Sequence, residues 1–162
     1  MRTEASSAPL LVVQSYHHRN TEKVAEVLAA ALAAKIRPPR EVDPAEVEAC
    51  RLIGLGSGIY FAKHHRALLE FAERLPRGAG KPAFIFSTSG VFTRRKLAKD
   101  HAALRHALVG NGYSILGEFG CRGWDTYSIL KYVGGLNKGR PNAKDLERAE
   151  AFAQRLQQEM GR

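Results

Sequence analysis

Four short apolar runs, each ending in a polar break and a stretch of helical periodicity, constrain this chain more than any other feature. The runs are Leu10–Val13, Arg51–Gly56, Ala83–Ser87 and Tyr113–Cys121. Leu10–Val13 is apolar on both faces, which suits a central strand of a parallel sheet, while Tyr113–Cys121 alternates and reads as the last strand. Between them the apolar positions recur at helical spacing: Val24, Val27, Leu28, Ala31, Leu32 and Ile36, then Leu68, Leu69, Phe71, Ala72 and Leu75. Leu97, Leu104 and Leu108 mark a third helix, and Leu146, Ala149, Ala153, Leu156 and Met160 a last one. Alternating strands and helices fold as an α/β doubly wound parallel sheet, a three-layer sandwich. Right-handed crossovers then bring the C-terminal ends of all strands to one edge.

Punctuation refines this outline. Asn20 or Thr21 is a natural N-cap for the first helix, with Glu22 favouring its positive end. Lys35–Arg37 reads as a brief edge strand, stopped by Pro38 and Pro39. Pro44–Glu48 reads as a short turn or helix. Gly110-Asn111-Gly112 ends the third helix. Asn142, with Asp145 three positions on, caps the last. Residues 1–9 are expected to form a flexible tail, and residues 10–162 a single domain.

Composition excludes several classes. Hydrophobic residues make up 44% of 162, so a packed globule is expected. No apolar run is long enough to cross a bilayer. Cys50 and Cys121 are far apart and lack metal-site spacing, which fits a reduced, cytoplasmic protein. The formal net charge is +9. Lys and Arg are scattered, and the densest group, Arg94, Arg95, Lys96 and Lys99, has no interleaved aromatics, so nucleic acid is not the expected partner.

The loops at the sheet edge carry the chemistry. Ser15–Thr21 joins the first strand to the first helix and offers hydroxyls, an amide and backbone N–H groups, the makings of an anion site. It lacks the Gly-Lys-Ser/Thr of a triphosphate loop and the three glycines of a dinucleotide fingerprint. Gly54-x-Gly56-x-Gly58 has the wrong spacing for the latter and is read as a tight turn with close backbone approach. A receiver domain would need acidic strand ends; here they are Gln14-Ser15 and Gly56-Ser57. A low-molecular-weight tyrosine phosphatase would need Arg six positions after Cys, where Tyr127 and Gly56 stand.

What remains resembles the flavodoxin family. Val12-Val13-Gln14-Ser15 with Asn20-Thr21-Glu22-Lys23-Val24-Ala25 is similar to the family's phosphate loop and first helix. Leu52-Ile53-Gly54-Leu55-Gly56-Ser57-Gly58-Ile59-Tyr60 resembles its second ligand loop, and Phe84-Ile85-Phe86-Ser87-Thr88-Ser89-Gly90 its fourth strand and following turn. The resemblance implies a five-stranded parallel sheet of order 2-1-3-4-5 and FMN as cofactor. Ser15, Asn20 and Thr21, with the backbone of Tyr16, His17, His18 and Arg19, would hold its phosphate. Ser57, Gly58, Ile59, Tyr60 and Phe61 would line one side of the ring. Ser87, Thr88, Ser89 and Gly90 with Cys121, Gly123, Trp124 and Tyr127 would close the other. Arg19 stands where the family usually has glycine; it could pair with the phosphate, or its bulk could weaken binding.

The implied function is electron transfer through FMN. The alternatives are an NAD(P)H-dependent quinone or related reductase and a flavin-free binding module on the same fold. The basic charge points to an acidic redox partner; a monomer or homodimer is expected. No metal is expected: His17, His18, His64 and His65 share the sheet edge, but no Asp, Glu or Cys stands beside them. Cys121 reads as a small buried residue at a strand end. Gly134–Pro141 is either a cover over the site, a partner contact or a long turn.

Overall fold

The computed structural model describes residues 8–15, 19–124 and 135–162. Its sheet contains β1 (Leu10–Gln14), β2 (Lys35–Arg37), β3 (Ile53–Tyr60), β4 (Lys63–His64), β5 (Pro82–Ser89) and β6 (Ser114–Arg122). The order is β2-β1-β3-β5-β6, all parallel. This is the doubly wound order 2-1-3-4-5, with the two-residue β4 added antiparallel to the end of β3. Lys35–Arg37 is the edge strand that its two following prolines predict.

The alternation of side chains along the strands divides the core into two layers. Leu11, Val13, Phe84, Phe86, Phe119 and Cys121 face α1 (Asn20–Leu32) and α6 (Ala143–Met160), meeting Val24, Leu28, Phe152 and Leu156. Leu10, Val12, Ile53, Leu55, Ala83 and Ile85 face the other way. There they meet Leu68 and Ala72 of α3 (Arg66–Glu73), and Leu104 and Leu108 of α5 (Ala102–Gly110). Each fully buried Leu, Ile or Phe contributes about 1.5–3 kcal/mol relative to exposure.

The start of α6 follows its sequence signal, and α2 (Pro44–Ala49), read as a short turn or helix, is a helix with a cap of the same kind. Asn142 accepts from the Asp145 N–H at 3.0 Å, and Asp145 Oδ2 accepts from the Asn142 N–H at 2.9 Å, a reciprocal capping box on α6. Asp43 and Glu46 form another on α2.

Four expectations are corrected. The glycines of Gly54-x-Gly56 form no turn; they lie within β3, where rings cross them. A Cβ on Gly54 would meet Phe84 Cζ at 2.3 Å, and one on Gly56 would meet Phe86 Cε2 at 2.2 Å. Ser57–Tyr60 likewise continue β3 and turn back at Phe61-Ala62 into β4, instead of forming a loop. The third helix is two, α4 (Arg94–Asp100) and α5, meeting at His101. Neither Asn20 nor Thr21 caps α1: the cap position is Arg19, in the left-handed conformation at φ 54°, without a side-chain cap.

Candidate functional site

Register places the singled-out strand ends side by side. Gln14 pairs with Ser57, Ser57 with Ser87, Ser87 with Gly120, and Thr88 with Cys121. Ser15 follows Gln14 at this edge. Its Oγ is buried and has no hydrogen-bond partner among the described residues, and neither has Asn20 Oδ1. Buried polar atoms are ordinarily satisfied, so these two are exceptions at the strand-end edge, as His64 Nε2 and Asp100 Oδ1 are elsewhere.

The neighbouring groups hold the loops together. Asn20 Nδ2 donates to the Trp124 carbonyl at 2.8 Å, and the Thr21 and Thr88 hydroxyls are 2.9 Å apart. Gly123 lies against Asn20 so closely that a Cβ there would come within 2.6 Å of Asn20 Nδ2. The left-handed φ of Arg19 gives the physical reason why glycine suits this position. Its guanidinium is paired with Glu22 at 2.6 and 2.8 Å and lies 3.6 Å from Glu26. That hydrogen bond holds the Glu22 carboxyl below its usual range.

On the second side, Ser57, Gly58, Ile59 and Tyr60 belong to the strand. The Tyr60 ring folds over Gly58, whose Cβ would meet its hydroxyl at 3.0 Å, and stands edge-on to His65 at 5.5 Å. Phe61 is 89% exposed at the hairpin tip. On the third loop, Ser87 and Thr88 are buried, and Ser89 Oγ donates to the Val91 carbonyl at 2.7 Å. The Gly123 N–H donates to the Ser89 carbonyl at 3.0 Å, joining this loop to the end of β6. Cys121 faces the core, and burial pushes its thiol up to about 12, well away from thiolate chemistry. Tyr16, His17, His18 and Tyr127 lie outside the described residues.

Part of Gly134–Pro141 has a definite role. Asn137 Nδ2 donates to the Gly90 carbonyl at 2.5 Å and reaches the Gly123 carbonyl at 3.4 Å. The Trp124 N–H donates to the Arg140 carbonyl at 3.1 Å. Arg140 in turn grips buried Asp145 through two hydrogen bonds, of 2.5 and 2.7 Å. Burial pushes the Asp145 carboxyl up, but Arg140 and the Asn142 N–H outweigh it and hold the carboxyl below its usual range. The segment is a brace: it ties two site loops to each other and to the start of α6.

Beneath the edge lies a histidine layer that no sequence spacing announces. Ser57 Oγ donates to the Gly58 carbonyl at 2.7 Å and accepts the His65 N–H at 2.9 Å. Its contact with His64 Nδ1, at 2.9 Å, is then donated by the histidine. His64 Nε2 is left as a bare acceptor, buried and without a partner among the described residues. His101, 4.8 Å from the His64 ring, hydrogen-bonds Ser87 Oγ through Nε2 at 2.7 Å and Glu118 through Nδ1 at 3.2 Å. Arg105 clamps Glu118 at 2.8 and 2.9 Å. Burial, then the neighbouring His101, drives the His64 pKa well below its ordinary value. His65 Nδ1 accepts the Ala67 N–H and caps α3. Among the described residues, no group of three or more His, Cys, Asp or Glu is placed to hold a metal.

No family model matches the chain. It is 44% identical over 147 residues to an uncharacterized protein, MJ0298, of Methanocaldococcus jannaschii, covering 91% of this chain and 96% of that one. Among solved structures, oxidised Flavodoxin 2 from Bacillus cereus superposes with a TM-score of 0.69 at 16% identity, covering 93% of this chain and 98% of that one. A flavodoxin from the domain Archaea gives 0.65 at 13% identity, with 95% and 99% covered. The chain has the flavodoxin-like fold and belongs to the sequence family of the Methanocaldococcus protein.

Proposed function

We propose that the protein binds FMN at the C-terminal edge of its sheet and transfers electrons. The observation that carries this reading is Ser15 Oγ, a buried hydroxyl with no partner among the described residues, where a strand feeds a helix. A single terminal phosphate fits that place: it would take the hydroxyl and the unpaired N–H groups of the first turn of α1. When bound, FMN supplies the redox chemistry. The chain's own residues supply the hold. Ser15 and the backbone of residues 16–21 take the phosphate, with Asn20 and Thr21 fixing the loop against Trp124 and Thr88. Ser57–Phe61 flank the ring on one side; Ser87–Gly90 and the segment from Cys121 to Tyr127 flank it on the other. The redox partner is acidic, matching the +9 charge of the chain. The working compartment is the cytoplasm. No helix among the described residues is long and apolar enough to cross a membrane.

An absorbance and melting experiment tests this. Purified protein should carry a flavin spectrum, or acquire one with added FMN, and FMN at a hundred times Kd should stabilise it by about 2.7 kcal/mol. Ser15→Ala should weaken FMN binding roughly tenfold, the loss of about one good hydrogen bond. It should leave the flavin-free melting temperature unchanged or slightly higher, because it removes an unsatisfied polar atom. Protein that stays colourless and unshifted, or a variant that binds FMN as tightly as the parent, refutes the assignment.

A further inference from the structure

Away from the strand-end loops, a groove of about 610 Å³ runs along the outer side of β6, between α4 and α6. Strand β6 ends the sheet, and among the described residues it pairs only with β5. Arg94 of α4 lines one wall, and Arg148 and Arg155 of α6 the other. All three are exposed. Arg148 lies over the rings of Phe92 and Phe119, at 5.7 and 5.6 Å from their centroids, and 3.8 Å from Asp145, which is buried behind the lining and already held by Arg140. Glu118 is the one acid in the lining, and Arg105 and His101 already hold it. The groove is therefore strongly cationic, with a strand edge as its floor.

These features choose among occupants. A second copy would bring three more arginines against these three, in a chain whose formal charge is already +9. Single-stranded nucleic acid would stack its bases on free aromatic faces, and Arg148 lies over both phenylalanines. An extended acidic segment meets every requirement. Its backbone can pair with β6, and its alternate side chains point to α4 and α6 in turn, so that carboxylates reach arginine on either side. We propose that the β6 groove docks an extended, acidic segment of a partner protein by strand addition. The proposal is independent of FMN binding, since none of the residues that line the groove is assigned to the flavin.

The test uses full-length protein and a rhodamine-labelled Glu-Val peptide of repeating Glu-Glu-Val-Val, which puts Glu on both faces of a strand, with a Lys-Val peptide of repeating Lys-Lys-Val-Val as control. Fluorescence anisotropy should show binding of the Glu-Val peptide alone, weakened about tenfold or more between 50 and 500 mM salt. The R94E/R155E variant should bind at least tenfold more weakly. The R40E/R51E variant, which changes net charge equally at exposed positions outside the groove, should bind like the parent. Bound peptide should slow amide exchange across Ser114–Arg122. Equal binding of both peptides, equal loss in both variants, or unchanged exchange in β6 overturns the proposal. So does a homodimer in light scattering that R94E/R155E converts to monomer, which would make a second copy the occupant.

Discussion

Arg19 adopts a backbone conformation that favours glycine, and among the described residues its side chain offsets this only by an exposed pairing with Glu22 and Glu26. Exposed ion pairs contribute little, whereas left-handed backbone costs a residue with a Cβ appreciably. Arg19→Gly should therefore raise Tm by roughly 2–4 °C for a chain of this size. A thermal melt that shows no rise, or a fall, would mean that the acidic partners outweigh the strain. The sequence shows an arginine at the position; it does not show the dihedral angle or the choice of Glu22 as partner. Ser15 was legible as a hydroxyl at a strand–helix junction. That its oxygen is enclosed and unpaired among the described residues depends on packing from several elements, which spacing does not encode.

Among the elements, those with local causes were legible. The apolar runs, the proline-stopped edge strand and the Asn142 cap rest on residues a few positions apart. The β3–β4 hairpin was not, because its two turn residues, Phe61 and Ala62, both adopt positive φ, at 50° and 61°, without the Asn-Gly or Asp-Gly that usually signals such a turn. The break between α4 and α5 was hidden for a similar reason: His101 is drawn towards Ser87 and Glu118, each more than ten positions away in sequence. The brace is the element with the widest reach. Asn137→Ala should cost about 1–2 kcal/mol in unfolding free energy, through the donor lost to the Gly90 carbonyl and a left-handed φ of 58° that alanine tolerates less well. Amide exchange should quicken in the 88–91 and 122–124 loops together. Acceleration in one loop alone would contradict a shared brace.

For the molecule as a whole, a core on both sides of the sheet was legible from strands apolar on both faces with helices between them, while the polar layer crossing it was not. That layer sets the response to acid. Burial keeps His64 neutral in the folded state, whereas the unfolded chain takes up a proton near pH 6.5. Above that pH the group imposes no penalty. Below it the unfolded state binds the extra proton, and stability falls by up to about 1.4 kcal/mol per pH unit. Glu118 and Asp145 act lower. Their carboxyl groups are held below the usual range, and the stability they add is lost as pH falls through the ordinary carboxylate values near 4. His64→Asn keeps a donor to Ser57 but cannot titrate. Denaturant titrations should show a flatter profile for this variant between pH 6.5 and 4.5, with the steeper loss below pH 4 intact. A variant with the parent's slope near pH 6 would place the titration elsewhere. The brace has a consequence in time. A nascent chain that has emerged only as far as Arg122 already holds all the sheet strands described here, yet Asn137 and Arg140 are still to come. Domains fold as units, and α6, which covers one face of the sheet, comes later still, so both the core and the site are finished by a late stretch of the polypeptide.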